Sequence, residues 1–290
     1  MMLKNRNLSI VIKYSYMRKI LILLVFLLSI SNLVKAGGQT PDYLTFTSNQ
    51  DDSKIGFKNL PESVKLYYST NRGVSWVTAT SSTSITLNTG ESVQFYGDNR
   101  NGLYDKNLAG IPPEYPGAPL PPQPETQFKI TGDVSVSGNI AYLMSQSGSD
   151  IELLEKNYYK LFEKCDITDA SGLKLPSDKL AESCYAFMFY NCTGLQTLQL
   201  NSSSNVTPLT MESMFFNCQS LQSLNLGHFK TDNIANMSYI FANCFNLNTL
   251  IIDSWSAEST LDMTSLFENC YVLSSLNLSS FRTSNVLNIS

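Results

Sequence analysis

Cys192, Cys218, Cys244 and Cys270 are spaced by 26 residues each, and Cys165 lies 27 residues before the first. Other positions keep the same period. Phe162, Phe189, Phe215, Phe241 and Phe267 each stand three residues before a cysteine. Asn191, Asn217, Asn243 and Asn269 stand one before, with Lys164 the exception. Leu195, Leu221, Leu247 and Leu273 follow by three residues, and Leu198, Leu224, Leu250 and Leu276 by six. A fixed period of this length is the mark of a solenoid, whose units bury too little apolar surface alone and must stack on neighbours.

Two patterns alternate within a unit. Met237, Ile240, Phe241, Cys244 and Leu247 follow i, i+3, i+4, i+7, i+10, which predicts one face of a helix. Leu221, Leu224 and Leu226 then fall into L-x-x-L-x-L, whose last part alternates as a short strand does. Phe229, Trp255 and Phe281, each eleven past a cysteine, are expected to plug the return loop. The expected fold is an α/β solenoid of leucine-rich repeats over 146–290, built of helix-turn-strand units with a parallel strand ladder. The chain reaches Ser290 about six residues before the next cysteine would fall at this period. The expectation is therefore an uncapped final strand, able to pair with another molecule.

The segment Leu173-Lys174-Leu175-Pro176-Ser177-Asp178-Lys179-Leu180-Ala181-Glu182-Ser183-Cys184-Tyr185, followed by Met188-Phe189 and Asn191-Cys192, resembles the BspA-like leucine-rich-repeat surface proteins. Phe229-Lys230-Thr231-Asp232-Asn233-Ile234-Ala235-Asn236-Met237 is similar to that family's F-x-T-x-x-V-x-x-M linker. The resemblance covers about 150–290, and residues 42–145 resemble, less distinctively, the β-rich segment that often precedes such repeats. It implies an exported adhesion protein, often for host matrix proteins, with no catalytic site.

Residues 37–145 lack the period. Val64–Tyr68, Val74–Val77, Ser84–Leu87 and Val93–Tyr96 predict short strands, with turn signals at Asn71-Arg72-Gly73 and Asn88-Thr89-Gly90. Phe128, Ile130, Val134 and Val136 add one or two more, giving a small antiparallel β-sandwich-like domain before the repeats. Ser69-Thr70-Asn71-Arg72-Gly73-Val74-Ser75-Trp76 resembles the Asp-box hairpin of sialidase propellers, with Asn71 in place of aspartate. It occurs once among too few strands for a propeller, so a hairpin with its Trp packed underneath is the favoured reading. Seven prolines between Pro112 and Pro124 make about 111–126 a polyproline-like loop or spacer.

Arg18 and Lys19 precede an apolar run, Ile20 to Ile30, and Val34-Lys35-Ala36 offers a cleavage site before Gly37. Residues 1–36 read as a secretory signal peptide with Met17 a plausible start, against the alternative of an uncleaved anchor. The expected location is secreted or at the cell surface, without membrane insertion after cleavage. Those 36 residues carry six basic groups and no acidic one. The remainder has 14 basic against 24 acidic residues, a formal charge of −10, which argues against nucleic acid as a partner.

The one histidine, His228, falls in a loop between repeats with no nucleophile near it in sequence. No C-x-x-C pair marks a metal site, and no cofactor is implied. The cysteines suggest a buried thiol ladder, with Cys184 and Cys192 the disulfide pair to test. What remains is surface: Thr197, Gln199, Ser223, Asn225, Thr249, Ile251, Ser275 and Asn277 point outward from the predicted strands. These are the candidate ligand-binding residues, lining the concave face if the strands lie inside the curve. The expected function is non-catalytic binding of a protein or extracellular-matrix macromolecule. The alternative is a self-associating surface-layer protein, and a secreted hydrolase is the most distant reading.

Overall fold

The computed structural model describes residues 41–105, 125–148, 154, 156–175, 183–199, 210–227 and 231–290. The signal segment, all but the last two residues of the Pro-rich stretch 111–126, His228 and Phe229 lie outside them. Asp42–Ser290 forms one compact unit.

Among the described residues twelve strands build two sheets: β1 Leu44–Ser48, β2 Ser53–Asn59, β3 Leu66–Ser69, β4 Val77–Thr78, β5 Ser84–Leu87, β6 Ser92–Gly97, β7 Gln127–Thr131, β8 Val134–Asn139, β9 Ile167–Lys174, β10 Thr197–Gln199, β11 Ser223–Asn225 and β12 Thr249–Ile251. The large sheet runs β12-β11-β10-β9-β8-β1-β6-β3-β4, and the small one β5-β2-β7. Strands β8 to β12 are parallel neighbours, whereas β8-β1-β6-β3-β4 pair antiparallel. The repeat strands thus continue the N-terminal sheet, joined by β8 and β9 across the boundary drawn from sequence at 145/146.

Alternation explains the layers. Leu44, Phe46 and Ser48 of β1, and Val93 and Phe95 of β6, are buried, while the residues between them face outward. Phe46 meets Phe95, Phe128 and Phe162 with ring centroids 5.7, 5.0 and 6.1 Å apart. Because Phe128 belongs to the small sheet and Phe162 to the first repeat, one core serves both regions.

The helix expected in each repeat is not formed: the described residues contain no α-helix, so the fold is a mixed β architecture and not a helix-turn-strand solenoid. In its place each coil is a ribbon of overlapping turns. Positive φ recurs every fourth residue, at Ser183, Phe187 and Asn191, at Ser213 and Asn217, at Tyr239 and Asn243, and at Ser265 and Asn269. Between these positions the N–H of Met188 donates to Tyr185 O at 3.2 Å and that of Cys192 to Phe189 O at 3.1 Å, closing turns within the coil. The intervening donors cross to the next coil: Phe187 N to Glu212 O, Phe189 N to Met214 O and Asn191 N to Phe216 O, at 3.0, 3.0 and 2.8 Å. Half the donors close turns and half join coils, so a ribbon that is neither helix nor strand still satisfies its backbone.

The sequence pattern misleads for a geometric reason. This ribbon buries pairs such as Cys184/Tyr185 and Met188/Phe189, a period of four. Over two turns that differs by less than one residue from the ~3.6 of an α-helix, so i, i+3, i+4, i+7 fits both.

The period also builds side-chain ladders. Phe189, Phe215, Phe241 and Phe267 stack at 5.9, 6.0 and 5.7 Å, within 11° of parallel. Beside them Cys192, Cys218, Cys244 and Cys270 donate their thiols to the carbonyls of Phe162, Phe189, Phe215 and Phe241, at 3.0 to 3.2 Å. Each of these cysteines is a thiol, so the disulfide between Cys184 and Cys192 is not made. Trp255 is fully buried, donating Nε1 to Leu226 O at 3.1 Å, and Phe281 is partly buried against the same core.

Candidate functional site

The outer face of the large sheet gathers the eight residues singled out from sequence. Leu198, Leu224 and Leu250 point into the core, so their neighbours on both sides point out. Register then aligns the neighbours: Thr197 pairs with Ser223, Ser223 with Thr249 and Thr249 with Ser275. Gln199, Asn225 and Ile251 form the second row. Asn277, two residues beyond Ser275, donates to Asp253 Oδ1 at 3.1 Å. All eight are exposed.

The face extends beyond those residues. Asp169 of β9 pairs with Thr197 and accepts its hydroxyl proton. Partial burial alone would raise the Asp169 pKa, but hydrogen bonds from Thr197 and Ser171 outweigh it and hold the carboxyl below its usual value. Farther along, Ser135 pairs with Asp169, and Ser137 and Thr45 pair across β8 and β1. Short strands of Ser and Thr carry no periodic mark, so only the sheet order brings these residues into the surface.

Seven of the eight side chains are uncharged and polar, each able to donate or accept hydrogen bonds. Their backbone is fixed by the parallel ladder and by stacked rings beneath. Such a surface can present fixed groups to a partner without a large ordering cost. Among the described residues, no group of three or more His, Cys, Asp or Glu side chains is placed to hold a metal ion.

The Asn71–Trp76 segment folds as a hairpin whose positive φ falls on Arg72 and Gly73, at 56° and 78°. Asn71 Oδ1 accepts from Ser69 Oγ at 2.8 Å and from Ser75 N at 3.0 Å. The side chain thereby closes the turn as an aspartate would.

Residues 184–290 match the family described as "Mycoplasma protein of unknown function, DUF285". No curated protein and no solved structure matches the chain. The matched stretch covers the coils from Cys184 onward, with Thr197 to Asn277 inside it.

Proposed function

We propose that the chain is an exported, non-catalytic recognition protein that binds a protein or matrix macromolecule through the outer face of its large sheet. The observation that carries this reading is the pair of aligned rows, Thr197-Ser223-Thr249-Ser275 and Gln199-Asn225-Ile251. They are exposed, and their spacing is set by the parallel ladder. The likeness of the repeats to BspA-like surface proteins and the signal-like N-terminus support the same reading. The test is Ser223→Arg, which places a long cation at the centre of the first row. Binding of the purified chain to immobilised collagens and laminin, followed by surface plasmon resonance, is expected to fall at least tenfold with no change in melting temperature. Unchanged binding by that variant overturns the assignment to this face.

Self-association is a second reading, favoured by the apolar surface around the last coil. Tyr271, Leu287 and Ile289 are 75%, 78% and 71% exposed. Beside them Met263, Leu266, Phe267, Leu278, Phe281 and Ile289 line a groove of about 620 Å³. Exposed apolar area of this kind marks an interaction surface. Light scattering over a dilution series separates the readings: growth in mass without a partner supports self-association, and a constant monomer removes it.

A further inference from the structure

We propose that a cluster of five aromatic side chains at the other end of the sheet face is a binding platform for a neutral glycan. This site stands apart from the repeat rows. Tyr43, Tyr67, Trp76, Tyr96 and Tyr142 come from five separate stretches of chain, and all five are partly exposed. The ring centroid of Tyr43 lies 4.9 Å from that of Trp76 and 5.0 Å from that of Tyr142. Tyr96 stacks on Tyr67 at 5.0 Å and meets the edge of Trp76 at 4.5 Å. The cluster is not part of the core, because the buried residues of the same strands are Leu44, Phe46, Leu66, Val93 and Phe95.

The chemistry around the rings selects the ligand. Thr45 and Gln94 pair on β1 and β6, Ser137 pairs with Thr45 from β8, and all three side chains lie on the ring side of the sheet. Among the described residues the charges near the patch are of both signs: Asp42 pairs with Lys174 at 2.7 Å, Arg72 is exposed at the hairpin tip, and Lys65 and Asp98 stand two residues from Tyr67 and Tyr96. A polyanion needs several cations, and this patch does not supply them. A sugar ring offers what the patch can take: a face of polarised C–H groups for the negative faces of the aromatic rings, and a rim of hydroxyls for the amide and hydroxyl neighbours.

Trp76 reports on the site. The chain has two tryptophans, and Trp255 is fully buried and hydrogen-bonded away from it. The intact protein is titrated with neutral hexasaccharides of glucose, mannose and N-acetylglucosamine, and with a sulfated hexasaccharide, while tryptophan emission and acrylamide quenching are followed. The expected result is a saturable change with at least one neutral oligosaccharide and protection of Trp76 from quencher. Trp76→Ala should weaken binding, measured by calorimetry, at least tenfold, and Ser223→Arg should leave it unchanged. Because Trp76→Ala could disturb the hairpin, Tyr142→Ala is the second variant, expected to weaken binding severalfold at an unaltered melting temperature. No saturable response to any neutral oligosaccharide overturns the proposal. So does a response to the sulfated one alone, or binding that survives both ring deletions.

Discussion

Asn217 donates its side-chain amide to Asn191 Oδ1, one coil earlier, at 2.6 Å, and the two residues share a left-handed backbone with φ of 60° and 59°. Asn269 and Asn243 repeat the arrangement at 2.7 Å. Asparagine tolerates this conformation better than other residues with a Cβ, which accounts for its recurrence before Cys192, Cys218, Cys244 and Cys270. Asn217→Ala loses both the ladder bond and the conformational preference and is expected to cost about 2 kcal/mol. Asn217→Gly keeps the backbone and loses only the bond, so its cost should be about half that. Urea unfolding of the two variants checks the order, and equal losses would show that the left-handed backbone carries no cost.

Burial pushes the thiols of the ladder up, Cys192 to about 12 and Cys270, less enclosed, to about 11. The thiolate is the reactive form. Iodoacetamide at pH 8 should therefore leave Cys165, Cys192, Cys218 and Cys244 unmodified in the native protein and label Cys270 slowly. Mass spectrometry of the alkylated chain reads this directly, and rapid labelling of Cys218 would contradict its place in the core.

Two carboxyls predict opposite pH effects. Asp169 has a lowered pKa in the folded chain, so its hydrogen bonds stabilise the fold above the ordinary aspartate value, and that contribution is lost as pH falls through the folded value. Thr197→Val should flatten the loss of stability on acidification. Glu212 is raised by burial and then by Asp262, so the folded chain holds its proton more tightly and stability falls as pH rises past the ordinary glutamate value. Glu212→Gln should stabilise the protein at pH 7 and not at pH 3. Melting temperatures across pH 3 to 7 test both signs.

Gly138, at the junction of β8 and β1, has φ of +85°, and a Cβ there would overlap the carbonyl oxygen of Tyr43. Gly138→Ala should cost more than about 3 kcal/mol, since both strain and overlap oppose it. Gly90, with φ of +80° and open space around its Cβ position, is the control, and Gly90→Ala should cost only about 1 kcal/mol. Similar costs for the two would show that β1 and β8 can separate freely.

How much of this was legible depends on how far each feature reaches along the chain. The rows around Leu198, Leu224 and Leu250 could be read directly, because alternation about a buried leucine is local and the 26-residue period fixes the register. The turn ribbon could not, because burial of Met188, Phe189 and Cys192 suits a period of four as well as a helix. What separates the two is the set of donors that Phe187, Phe189 and Asn191 send to the next coil. The aromatic cluster left no trace either. Tyr43, Tyr67, Trp76, Tyr96 and Tyr142 meet only because β1, β6, β3 and β4 lie side by side, an order that short strands and their turns do not encode.

The crossing bonds of the turn ribbon all run in one sense, N–H groups toward the following coil and C=O groups toward the preceding one. Aligned peptide dipoles add, so this side of the stack is electrically polar along its axis, positive toward the C-terminal coils and negative toward β7. At the negative end Phe128 N donates to Leu161 O at 2.9 Å, a small-sheet donor meeting the first coil's outward carbonyl. The N-terminal region therefore meets the coils twice, its small sheet as an electrostatic terminator and its large sheet as a continuation of their strands.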